Sequence, residues 1–273
     1  ETPDAHAEVF KQLTDGLKTS QVTEADFSSC GIGPIALGHV SDWVREATAA
    51  VARLTLSGNP ITNYGDDLSG LKALCEVLPS LKHPISLDLA NCGFRVAEVN
   101  ELAQAISAGA AVSSLAISGN FLFGGKNKGR YDSTQVHDVD KDQSGWNNLC
   151  EQLKGSNITS FTASDIGMGP VALRTLAPSL PAAVEAVVLK GNMITGSTRL
   201  GYSDAKYDND LSGIIALCEA LPGLQKPISL DLSDCGLSVK GVNEIAKATS
   251  AGAAVEALAI GANPIGTEGG NIL

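Results

Sequence analysis

The chain has 273 residues, 44% hydrophobic and only 4% aromatic, with 29 glycines and a net charge of −11. That acidity excludes a nucleic-acid backbone as the main partner, which needs clustered Lys and Arg, and disfavours anionic membrane surfaces. No apolar run approaches the ~20 residues of a membrane span, so no membrane insertion is expected. The first residue is Glu1 and no signal peptide remains to be read, which predicts a removed leader or a fragment of a longer chain.

Residues 1–21 come first, with Val9, Phe10, Leu13 and Leu17 on one helical face. This predicts an N-terminal helical cap, the helix of an incomplete leading repeat. From residue 22 to 273 one pattern recurs eight times: apolar-x-x-apolar-x-apolar-x-x-(Cys or Asn)-x-apolar. Its fullest copies are Pro84, Leu87, Leu89, Cys92, Phe94 and Pro227, Leu230, Leu232, Cys235, Leu237. The copies start at residues 22, 51, 84, 112, 158, 184, 227 and 255, so a basic unit of about 28 residues is interrupted by insertions. The period of two points both central apolar residues inward from a short strand. The Asn or Cys then falls at the bend, where it can satisfy turn backbone groups. A helix returns the chain, as in the stripe Val96, Val99, Leu102, Ala103 and Ile106. No unit buries its own face, so neighbours must stack.

Two higher periods lie over this one. Bends alternate between Cys (Cys30, Cys92, Cys235, with Ile166 as the exception) and Asn (Asn59, Asn120, Asn192, Asn263). Residues 84–122 also align with 227–265 at a constant offset, giving an internal duplication of about 22–157 and 158–273. The template and the alternation resemble the ribonuclease-inhibitor-like leucine-rich-repeat family. The resemblance implies an α/β solenoid, a horseshoe with a parallel sheet on its concave face and helices on its convex face. It implies protein binding rather than one shared activity, because the family includes inhibitors, sensor domains and a GTPase activator.

The first three Asn-type repeats each carry an insertion with a shared ending: Asp67-Leu-Ser-Gly70, Asp142-Gln-Ser-Gly145 and Asp210-Leu-Ser-Gly213, then Leu-Cys-Glu. The eighth repeat runs into residues 266–273 instead, which again predicts a fragment. Asp138, Asp140 and Asp142 are spaced like the start of an EF-hand loop, and Asp204, Asp208 and Asp210 cluster similarly, so calcium is a candidate ligand. Against it, Gln143 replaces the loop glycine and Leu149 the final acid. Helix capping by Asp and Ser is the competing reading. Apart from calcium, no cofactor is expected.

The cysteines lack metal-ligand spacing and read as buried, reduced thiols, which predicts an intracellular, cytoplasmic setting. His6, His39, His83 and His137 share no context, and Gly119-Asn-Phe-Leu-Phe-Gly-Gly-Lys126 misses a phosphate-loop pattern by one residue. No enzymatic activity is expected. Asn157-Ile-Thr159 runs into a predicted strand and is a poor glycosylation acceptor.

A non-enzymatic scaffold for a protein partner is therefore the expected role. The alternatives are a calcium-regulated binder and a GTPase-activator-like regulator, the latter implied by the resemblance alone. The exposed sheet face is small and acidic, with Asp26, Asp88, Asp165, Asp231 and Asp234. Aromatic and Arg residues, the usual interface anchors, concentrate in the insertions: Tyr64, Arg130, Tyr131, Arg199, Tyr202 and Tyr207. These are expected to form a ridge beside that face. Trp146 and Phe121 read as packing residues.

Overall fold

The computed structural model describes residues 2–127, 135–198 and 206–266. Helix α1 (Ala7–Leu17) precedes strand β1 (Glu24–Asp26), helix α2 (Pro34–Glu46), β2 (Arg53–Thr55), α3 (Ser69–Val77), β3 (Ile85–Asp88), α4 (Val96–Ser107) and β4 (Val112–Ala116). A hairpin of β5 (Gly125–Asn127) and β6 (Gln135–His137) follows. Then come α5 (Ser144–Leu153), β7 (Ser160–Thr162), α6 (Pro170–Leu176), β8 (Ala186–Val188), α7 (Ser212–Ala220), β9 (Ile228–Asp231), α8 (Val239–Ser250) and β10 (Val255–Ala259). Eight strands form one open parallel sheet in the order β1-β2-β3-β4-β7-β8-β9-β10, with helices alternating between them.

The register follows from the repeat. Leu54, Leu87, Leu115, Phe161, Val187, Leu230 and Leu258 are paired one to the next across seven adjacent strands. Each is the inward residue of its strand, and those from Leu54 to Leu230 are at most 2% exposed. Burying such a side chain stabilises by about 1.5–3 kcal/mol before entropy is charged. The returning helices add the other wall of one continuous core. Pro34 and Pro170 each occupy the first turn of a helix, where the missing N–H costs nothing.

Backbone approach fixes another residue type. A Cβ on Gly145 would lie 3.0 Å from the Val96 carbonyl oxygen, and one on Gly213 2.7 Å from that of Pro170. Gly70 faces the Pro34 carbonyl in the same way. The glycine of each shared Ser-Gly therefore lets an Asn-type helix press onto the first turn of the helix before it.

Helix α1 closes one end of the core. Phe10 meets Phe27 edge-on at 5.8 Å and Phe27 meets Trp43 at 6.1 Å. In the fourth repeat's Gly-rich insertion β5 pairs with β6 antiparallel. No helix among the described residues is long and apolar enough to cross a membrane.

Candidate functional site

The bend residues tie repeats together in two directions. Asn120 Oδ1 accepts the Cys92 and Phe94 N–H groups, both at 3.0 Å, and its Nδ2 donates to the Leu89 and Ile117 carbonyls, both at 2.9 Å. Asn59, Asn192 and Asn263 repeat the same four bonds, three to the Cys-type repeat before them and one to a carbonyl three residues back in their own. The cysteines reach the other way. Cys92 Sγ donates to the Leu56 carbonyl at 3.4 Å and Cys235 Sγ to that of Leu189 at 3.2 Å. Asn thus closes each Cys–Asn pair of repeats, and the thiol joins one pair to the pair before.

All six cysteines are free. Burial pushes the Cys75, Cys92 and Cys235 thiols up to about 12 and Cys218 to about 11, and raises Cys150 further. Such thiols are inert as nucleophiles at neutral pH. Cys30 departs from the expectation of burial. It is exposed because β1 is the edge of the sheet and, among the described residues, no strand precedes it to receive its thiol, which donates to the Ser28 carbonyl within its own turn at 3.4 Å.

The insertion carboxylates face protein donors. Asp140 accepts from the N–H groups of Gly169 (2.8 Å), Val171 (2.7 Å) and Ala172 (3.2 Å), so it caps α6. Asp208, buried, accepts from Ser238 N–H (3.2 Å), Ser238 Oγ (2.7 Å) and Gly241 N–H (2.8 Å), so it caps α8. Asp4 does the same for α2 through Gly33, Ile35 and Ala36, each at 2.9 Å. None of these three helices has a side-chain cap of its own at the N-cap position. The three acids sit at φ +60 (Asp4), +54 (Asp140) and +51 (Asp208), a left-handed conformation that Asp tolerates better than most residues.

The remaining pair of repeats solves the same problem differently. Gly65 stands at the aligned loop position, and Glu98, third residue of α4, turns back to accept from Arg95 N–H at 2.9 Å and Thr62 Oγ1 at 3.1 Å. A Cβ on Gly65 would lie 3.3 Å from Glu98 Oε1. Where the loop supplies Asp, the helix carries Ala36, Ala172 or Gly241 in its third place; where the helix supplies Glu, the loop carries Gly.

The other candidate ligands have similar employment. Asp138 pairs with Lys141 Nζ at 2.8 Å. Asp67, Asp142 and Asp210 accept from the N–H of Ser69, Ser144 and Ser212 at 2.8–3.0 Å. Hydrogen bonds from those serines hold all three carboxyls below the usual aspartate value. The residues Asp138, Asp140 and Asp142 therefore point to three different sets of donors. Among the described residues no group of three His, Cys, Asp or Glu is placed to hold a metal ion. Asp204 lies outside the described residues.

On the sheet face Asp26, Asp88 and Asp231 lie at equivalent strand ends, each accepting from the backbone N–H two residues on at 2.9 Å. The Ser28 side chain and backbone lower the Asp26 carboxyl. Asp165 and Asp234 are exposed and sit at φ +53 and +54, the left-handed bend position shared with Ser29 and Asn91. Their residue type is explained by that backbone.

Tyr64 is 61% exposed and left-handed at φ 60, ψ 28, flanking the turn at Gly93. Tyr207 occupies the aligned place before Asp208 and is half-buried. Four sheet spacings separate their repeats, about 19 Å, so the two tyrosines form part of a row rather than one cluster. Exposed Val139 takes the corresponding place between them. Arg130, Tyr131, Arg199 and Tyr202 lie outside the described residues. Trp146 is fully buried, donates Nε1–H to the Ala172 carbonyl at 3.0 Å and packs on Phe123 at 5.3 Å. Phe121 is 4% exposed. Sequence spacing did not reveal which helix each insertion acid caps; the exchange of Asp and Glu between loop and helix was the available signal. No protein-family model matches the chain, and the curated proteins contain no match to it.

Proposed function

We propose that the chain is a leucine-rich-repeat solenoid of the ribonuclease-inhibitor-like kind, curved with its sheet concave, and that it is a non-enzymatic scaffold for a protein partner. The observation that carries this reading is Tyr64. A large amphipathic side chain stands exposed on a left-handed backbone, which costs about 1–2 kcal/mol. Strain of that kind persists where a surrounding structure over-determines it and function uses it. The row from Tyr64 through Val139 to Tyr207, beside a face carrying Asp26, Asp88 and Asp231, suits a partner with apolar anchors and basic surroundings. The free cysteines suit a reducing, intracellular compartment.

The test begins with affinity capture from cell extract and identification of the captured protein. Its binding is then measured for the wild type and for a variant with Tyr64, Tyr131, Tyr202 and Tyr207 all changed to Ala. Binding is expected to weaken at least tenfold, with the melting temperature changed by less than about 4 °C. Unweakened binding refutes the assignment to this edge.

A further inference from the structure

The duplicated halves differ where the chain enters β2 and β3. In the second copy the aligned loops are tied together. Gln225 N–H donates to the Ala182 carbonyl at 2.8 Å, and Lys226 Nζ pairs with Glu185 at 3.5 Å. In the first copy Lys82 and Ala49 take the places of Gln225 and Ala182 and share no hydrogen bond. His83 and Ala52 take those of Lys226 and Glu185, so the carboxylate is gone. The connection from Pro34 to Val51 is also three residues longer than that from Pro170 to Val184. A cavity of about 320 Å³ opens between the two loops, with Arg45, Ala49, Ala50, Val51, Lys82 and His83 in its lining.

We propose that this cavity binds a small phosphate monoester. No Asp or Glu lines it, in a chain with 30 acids against 19 Lys and Arg. Among the described residues the N–H groups of Ala49, Ala50, Val51, Lys82 and His83 donate to no acceptor. Val51 is buried, and a buried N–H without a partner is uncommon. Arg45 Nη1 pairs with Asp42 at 3.0 Å, which leaves the guanidinium its other donors. Glu46, the nearest acid along the chain, is held by Lys18 at 3.1 Å. Donors without acceptors beside cations suit an oxyanion. They come from a helix end and two loops, which matches the several oxygens of a tetrahedral phosphate better than the two of a planar carboxylate. The carbonyl end of α2 opposes an anion with about half a charge, less than the full charge of Lys82. The volume lies at the low end of small-molecule sites, about 300–1,000 Å³, and so fits a phosphate with a small organic group. This cavity lies on the edge where the strands begin, while Tyr64 follows β2 on the opposite edge, so the two assignments fail independently.

The probes are glycerol phosphate, inorganic phosphate and acetate, titrated at constant ionic strength into the 273-residue chain and followed by amide proton–nitrogen NMR spectra. Glycerol phosphate is expected to shift the Ala49, Ala50, Val51, Lys82 and His83 amides saturably, with a Kd at or below ~1 mM. Inorganic phosphate should shift the same amides more weakly, and acetate should leave them in place. Lys82→Gln is expected to weaken glycerol phosphate binding at least fivefold. Ala52→Glu, which restores the carboxylate of the second copy, should weaken it at least tenfold. Both positions are exposed, so the remaining amide signals should match the wild type. Absence of saturation up to about 10 mM glycerol phosphate, or affinity unchanged in both variants, overturns the proposal. Acetate binding as tightly as glycerol phosphate does so too, as do shifts scattered over other lysines instead of this cavity.

Discussion

Replacing Asn120 by Ala is expected to lower the unfolding free energy by about 3–5 kcal/mol, read from urea denaturation. The residue is fully buried, and its amide satisfies two N–H groups of the Cys92–Phe94 turn and two carbonyls, Leu89 and Ile117. Alanine removes all four bonds and leaves their partners without water to replace them; each buried orphan costs about 1–3 kcal/mol, and partial relaxation keeps the sum below four such terms. Asn120→Asp separates the contributions. Its carboxylate can still accept from Cys92 and Phe94 but sets a second oxygen against the two carbonyls, so it is expected to rescue little. A loss below about 1 kcal/mol for Asn120→Ala would mean that the ladder is not what closes the paired repeats.

The second large effect is Asp208→Ala, expected to cost about 2–3 kcal/mol and to speed amide exchange in the first turn of α8. Three donors lose their acceptor, two of them N–H groups at the positive end of a helix dipole. Ala at φ +51 adds backbone strain that Asp bears more easily. Asp208→Asn keeps one acceptor oxygen and the tolerant backbone, and should recover about half of the loss. Exchange that accelerates in α7 instead of α8 would contradict the cap assignment, because α7 follows Asp208 in the chain while α8 donates its bonds.

These two residues also mark what the chain discloses by reading alone. The Asn bends were legible because one polar residue recurs at fixed distance behind two inward apolar residues, and that spacing alone locates both strand and turn. The same holds for Leu54 through Leu230, whose alternation leaves no other face for them. The carboxylates were harder. Asp138, Asp140 and Asp142 have the local spacing of a cation loop, and local spacing cannot show that Asp140 meets peptide groups 29–32 residues away. Cys30 shares the template of Cys92 and Cys235, yet its exposure depends on which strand lies beside it, which is not a property of its own repeat. Gly145 and Gly213 belong to a repeated Ser-Gly that reads as a cap; their function is clearance for a neighbouring helix. Local pattern thus disclosed the repeat, while contacts between repeats decided the employment of its polar residues.

The central claim is that each pair of repeats needs one carboxylate at the start of its Cys-type helix, supplied by loop or helix but not by both. A double-mutant cycle of Gly65→Asp and Glu98→Ala tests it by urea denaturation. Alone, Glu98→Ala should destabilise by about 1–2 kcal/mol through loss of the α4 cap. Gly65→Asp alone should also destabilise, since a Cβ at that position lies 3.3 Å from Glu98 Oε1 and a second carboxylate would crowd the first. Together they should recover more than half of the Glu98→Ala loss, with the introduced aspartate capping α4 as Asp140 caps α6. Additive losses in the double variant would contradict the account.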